Sequence, residues 1–147
     1  MAELTAQQRR LKTRLFELQD ADDWLGVVEL EREALALARD LRGADPGFAG
    51  NIHGLAGNIH GILGLGFENT GDYGRARELH EQCRAMAEAL GDRAGVSTAC
   101  NNLGNCYNRM GDYGRAREMH EQARAICEAL VEMIVCLLYT SPSPRDS

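Results

Sequence analysis

Four histidines and five cysteines are the side chains of this 147-residue sequence best suited to hold a metal or act as nucleophiles. Their spacing decides what chemistry is open to them. His53 and His60 stand seven apart, and two ligands do not make a zinc site. His80-Glu81 and His120-Glu121 begin like the HExxH zinc motif but lack its second histidine. These two positions are the same site in successive repeats, so repetition accounts for the pair without a metal. Cys83, Cys100, Cys106, Cys127 and Cys136 include no CxxC pair and read as reduced, mostly buried small hydrophobes. No Gly-rich phosphate loop follows a strand, and no Cys-His or Ser-His-Asp arrangement can be assigned. The expectation is a chain with no catalytic residues, no cofactor and no metal.

What remains is polar recognition. Asn101, Asn105 and Asn108, spaced by four and three, share one face of a helix. An asparagine amide donates and accepts at once, which suits it to a peptide backbone. The plainer alternative is a solvated polar face.

The elements that would position them are set by internal repetition. Gly71 to Leu90 reads GDYGRARELHEQCRAMAEAL, and Gly111 to Leu130 reads GDYGRAREMHEQARAICEAL. The blocks start 40 residues apart and match at 16 of 20 positions. The differences, Leu79/Met119, Cys83/Ala123, Met86/Ile126 and Ala87/Cys127, exchange only apolar or small residues, as a buried stripe requires. A period of this size without strand signals implies a two-helix unit stacked on copies of itself.

Along the chain, a helix is expected over about 3–19, with Leu11, Leu15 and Leu18 on one face. A second, capped by Asp22-Asp23 with Trp24 just inside, is expected to run to about Leu41, where Gly43 to Pro46 ends it. From Gly47 to Phe67 glycines recur at heptad spacing, around a duplicated GNIHG at 50–54 and 57–61. Such a helix is intrinsically poor, at roughly 0.5–1 kcal/mol per glycine, unless the bare stripe lets a neighbour approach closely. It is seven residues longer than its counterpart, so it should project or bend. Asn51, His53, Asn58 and His60 in its middle argue against a membrane span. Three further helices follow, with stops at Gly71, Gly91 and Gly111, each followed by an aspartate start. The fold class is all-α, a superhelical solenoid of about three antiparallel helix pairs. The array covers 1–135: a degenerate repeat over about 3–45, a repeat over 46–90 and another over 92–130.

Composition agrees. The formal charge of −6 and pI near 5.2 argue against general nucleic-acid binding. The start, MAELTAQQRR, has no secretory apolar segment, and the cytoplasm is the default compartment. Residues 136–147 depart from the repeat pattern. CLLYTSPSPRD resembles the translation of a transposon-end adapter used in tagmentation libraries, which would place the end of the natural chain near Val135. The alternative is a short disordered tail with two Ser-Pro sites.

The repeat signature is similar to that of tetratricopeptide repeats. It comprises Leu103-Gly104, Tyr107, Gly111-Asp112-Tyr113, Ala116 and Ala123, preceded by Leu63-Gly64, Phe67, Gly71-Asp72-Tyr73, Ala76 and Cys83. The first repeat departs, with Trp24 for tyrosine, Val27 and Ala34 at the small positions, and no Leu-Gly pair. The 40-residue period and the strings NNLGNCY and EALGDRAG resemble the long-repeat subclass of Pins/LGN-type polarity adaptors; kinesin light chains carry a similar repeat. The resemblance implies a protein or peptide partner held in a concave groove lined by the first helix of each pair. The matching groove residues are Asn101, Asn105, Asn108 and Arg109; Asn58, Gly61, Leu65, Glu68 and Asn69; and Lys12, Phe16 and Gln19. Gly61 and Asn101 stand where a carboxylate clamp would need lysines, so that binding mode is not expected. Two further readings stay open: a regulatory or targeting segment of a larger enzyme, and self-association of the array.

Overall fold

The computed structural model describes residues 4–42 and 50–140, with side chains for 4–42 and 54–139. Among them are seven helices and no strand: α1 (Ala6–Asp20), α2 (Trp24–Glu29), α3 (Glu31–Arg42), α4 (Gly50–Thr70), α5 (Tyr73–Leu90), α6 (Arg93–Arg109) and α7 (Tyr113–Thr140). The expected all-α repeat fold is therefore observed.

Helix starts follow local capping chemistry. Thr5 and Gln8 form a reciprocal capping box ahead of α1. Asp23, Asp72, Asp92 and Asp112 each accept from the backbone N–H three residues on, at 2.9–3.2 Å. The residue before Asp72, Asp92 and Asp112 is a glycine with φ of 94°, 69° and 81°, a backbone region that side chains with a Cβ rarely enter. The same turn is thus made three times, as the repeated Gly-Asp pairs imply.

One expectation needs correcting. The second helix is not continuous: Leu30 N–H bonds to the Val27 carbonyl at 3.1 Å, a tighter i→i−3 turn that divides α2 from α3. Ala34 N–H still reaches the Leu30 carbonyl at 2.8 Å, so the helical path resumes at once. The glycine stripe of α4 admits a close neighbour along part of its length. A Cβ placed at Gly54 would meet nothing within 4 Å, and at Gly57 or Gly61 only ordinary contacts at 3.9 and 3.7 Å. Close approach is confined to Gly64, under the His80 ring, and Gly66, under Val27. Gly43 to Gly47 lie outside the described residues.

Packing is continuous along the array. α4 lies on α5, α6 on α7, and α5 joins the two pairs by packing on α6, while α2 and α3 cover the other side of α4. The main core runs from Leu15, Val27, Ala34 and Leu37 through Ile59, Leu63 and Phe67 to Ala76 and Leu79. Smaller cores around Cys100 and Ala123, and around Leu103, Tyr107 and Ala116, hold the last pair. Past Leu130, α7 leaves this packing, and residues 131–139 are all exposed. The helix continues through Val135 to Thr140; residues 141–147 lie outside the described residues. No helix among the described residues is long and apolar enough to cross a membrane.

Candidate functional site

Of the first helices of the three pairs, α4 approaches both α1 and α6 at backbone level. The second helices do not: among the described residues α3, α5 and α7 are bridged through side chains, by Arg75–Glu31, Arg84–Gln122 and Arg84–Met119. Helices close on one side and splayed on the other describe an arc, and its inner side runs along α1, α4 and α6.

On α6 the division of faces is sharp. Val96, Ala99, Cys100, Leu103, Gly104, Cys106 and Tyr107 are buried, leaving Thr98, Asn101, Asn105 and Asn108 as an exposed stripe. The Asn105 and Asn108 amides bond to no other side chain or backbone group among the described residues, whereas Asn101 Oδ1 lies 3.3 Å from His120 Nδ1. Thr98, unnoticed in the sequence, belongs to the same stripe, its hydroxyl donating to the Ala94 carbonyl at 3.1 Å. On α4, Asn58 is exposed and Leu65 half-buried, while Asn69 turns its amide onto the Leu65 carbonyl at 2.8 Å. On α1, Lys12, Phe16 and Gln19 are half-buried, and Phe16 packs against the main core.

A family profile, described as tetratricopeptide repeat, matches residues 55–129, which span α5, α6 and most of α4 and α7. The chain belongs to the tetratricopeptide repeat family. No curated protein and no solved structure matches it. Tetratricopeptide repeats generally mediate protein–protein interaction.

Within these repeats one expected groove residue is placed differently. Glu68 is buried, not presented to solvent. One turn after Gly64, it points between α5 and α6, where its Oε2 lies 3.7 Å from His80 Nε2 and its Oε1 3.5 Å from Arg109 Nε. Among the described residues, neither Glu68 Oε2 nor either nitrogen of His80 has a hydrogen-bond partner, and His80 is 0 % exposed. Cys106, from α6, completes the cluster: the ligand atoms of Glu68, His80 and Cys106 lie within 4.8 Å of one another. Burial pushes the Cys106 thiol up to about 12, with the Glu68 charge and a hydrogen bond to Glu68 adding to it. Arg109 reaches in from the surface; its guanidinium stands 5.9 Å over the Tyr73 ring, and a hydrogen bond to Tyr73, then the Glu68 charge, favour its protonated form.

Repeat position explains half of this. His80 on Gly64 recurs as His120 on Gly104. The other two ligands sit where the repeats differ: Glu68 corresponds to Asn108, and Cys106 to Gly66. That asymmetry was visible in the sequence, but only the register between three helices shows that the two departures meet at one histidine.

Burial raises the Cys83 and Cys100 thiols, which keeps them from acting as thiolate nucleophiles near neutral pH. Burial lowers His60, whose Nδ1 lies 2.8 Å from the Ala56 carbonyl.

Proposed function

We propose that this chain is an interaction scaffold that takes up an extended peptide segment of a partner protein on the inner face of the arc. The observation that carries this reading is the α6 stripe, where Asn105 and Asn108 expose amides with no bonding partner beside the half-tied Asn101. Unengaged amides at spacings of four and three match the need of an extended backbone for paired donors and acceptors. Asn58 and Leu65 on α4, and Phe16 and Lys12 on α1, extend the surface with apolar and charged contacts; Arg109 and Asn69 flank it. Glu68 contributes through its hold on Arg109.

The 40-residue period supports a long-repeat signalling adaptor, cytoplasmic and of the Pins/LGN type. The abrupt change of composition at Cys136 supports an adapter-derived tail. In a larger protein, the same repeats could equally serve to target or regulate an enzyme domain. Sequencing the source transcript across the Val135 codon separates these readings.

The groove itself is tested by panning a random peptide library against the chain and measuring the selected peptide on Asn101→Ala/Asn105→Ala. Binding should weaken by at least about tenfold, a loss typical of central interface contacts, with helical circular dichroism unchanged. Equal binding by the variant would remove the asparagines from the site, and lost helicity would make them structural.

A further inference from the structure

We infer that Glu68, His80 and Cys106 form a binding site for a borderline-soft divalent transition metal, Zn²⁺ being the physiological candidate. Each ligand comes from a different helix, α4, α5 and α6, so an ion there would clasp the two repeats at their junction.

The donor set is the first support. Thiolate, imidazole and carboxylate together suit zinc, whereas calcium and magnesium take oxygen ligands. Geometry is the second. Tetrahedral zinc with bonds of about 2.0–2.3 Å sets its ligand atoms about 3.3–3.6 Å apart. His80 Nε2 and Glu68 Oε2 stand at 3.7 Å, and all three donors lie within 4.8 Å, so side-chain adjustments of about 1 Å would close the set.

Unmet polarity is the third. Buried polar atoms are nearly always bonded, yet three in this cluster, Glu68 Oε2 and both His80 nitrogens, have no hydrogen-bond partner among the described residues. They belong to side chains 7 % and 0 % exposed, so solvent does not compensate them. A cation would satisfy the carboxylate and one imidazole nitrogen and would displace the thiol proton, as coordination does. The opposing charge is Arg109, whose exposed side chain meets the other carboxylate oxygen at 3.5 Å and has the Tyr73 ring as a second contact to keep when the ion enters. Three protein ligands leave a fourth position for water or the second carboxylate oxygen.

The full chain titrated with Co²⁺ tests this. Thiolate ligation produces a ligand-to-metal charge-transfer band, and tetrahedral coordination produces intense d–d absorption. Both are expected at one equivalent, to be displaced by Zn²⁺, with the thermal midpoint rising on Zn²⁺ addition. Cys106→Ser should abolish the charge-transfer band, and Glu68→Gln should weaken Co²⁺ binding at least about tenfold. Cys127→Ser/Cys136→Ser, which removes the two exposed thiols, should keep the band. Absence of the band in the unaltered chain overturns the proposal whatever the variants do. So does its loss in the Cys127/Cys136 variant, which would trace the signal to surface thiols.

Discussion

Gly64→Ala is the sharpest single test of how α4 sits on α5. In an open helical position this change stabilises by about 1 kcal/mol, because glycine surrenders more backbone entropy than alanine. At Gly64 the new Cβ would lie 2.6 Å from His80 Cε1, 2.7 Å from Nδ1 and 2.9 Å from Nε2. Real Cβ atoms do not approach so closely, and the ring is fully buried, so it cannot swing into solvent. Overpacking of this kind costs about 1–3 kcal/mol, and with a rigidly held ring the upper part of that range applies. The net expectation is a loss of about 1–2 kcal/mol, or about 0.5–1 M in urea midpoint at an ordinary denaturant slope. Gly104→Ala is the matched control. Its Cβ meets His120 equally closely, but that ring is only half-buried and is tied to Asn101 alone. It can rotate away, so the net change should stay within about 0.5 kcal/mol of zero. Gly54→Ala meets nothing and should stabilise by about 0.5–1 kcal/mol. Urea unfolding followed by circular dichroism ranks the three. If Gly64→Ala matches the parent, or loses no more than Gly104→Ala, burial of the ring is not what gives the contact its cost.

The bridge between α3 and α5 is modest and open to salt. Arg75 reaches Glu31 Oε1 through Nε at 2.9 Å, with both side chains about a third exposed, so Glu31→Gln should cost roughly 0.5–1 kcal/mol after allowing for solvent screening. That difference should shrink in urea melts at about 1 M salt; an undiminished loss would assign the effect to packing. His60 carries a pH signature. Its folded value lies below the ordinary 6.5, chiefly through burial, with Arg42 and Arg75 adding and the Ala56 carbonyl opposing. The unfolded chain therefore takes up the proton first. The contribution is complete above about 6.5 and is lost as pH falls from there through the folded value. The urea midpoint of the parent should drop relative to His60→Gln between about pH 7.5 and 5.5. A constant difference would mean that His60 titrates alike in both states.

How far the sequence carries a reader depends on how local each determinant is. The Gly-Asp turns at 71–72, 91–92 and 111–112 were legible because a positive φ and an N-cap are decided within three residues. The Leu-Gly and small-residue positions were legible because repetition printed them twice, and Leu63, Leu103, Ala76 and Ala116 are buried accordingly. The break at Leu30 was not legible, since Val27, Val28 and Glu31 raise no barrier to a helix and the turn shows itself only in how Val27 seats on Gly66. The stripe of α4 glycines was legible only in part, for a related reason. Heptad spacing says which residues share a face, but whether a neighbour presses there depends on what it presents. α5 offers a histidine ring to Gly64 and only lighter contacts to Gly57 and Gly61.

Glu68 shows the same limit at the candidate site. By position it belongs with Leu65 and Asn69 on the groove side, and the matching Asn108 is indeed exposed. The two residues differ in the neighbour stacked against them. α6 packs over α5 and brings Cys106 and Arg109 beside Glu68, whereas no further helix covers Asn108 among the described residues. Stacking the next repeat thus converts a surface position into an interior one. In such an array the side chains at repeat junctions cannot be sorted into groove and core from one repeat alone. The place to look for chemistry is where two repeats stop being copies of each other, and Glu68 and Cys106 are two such positions that meet.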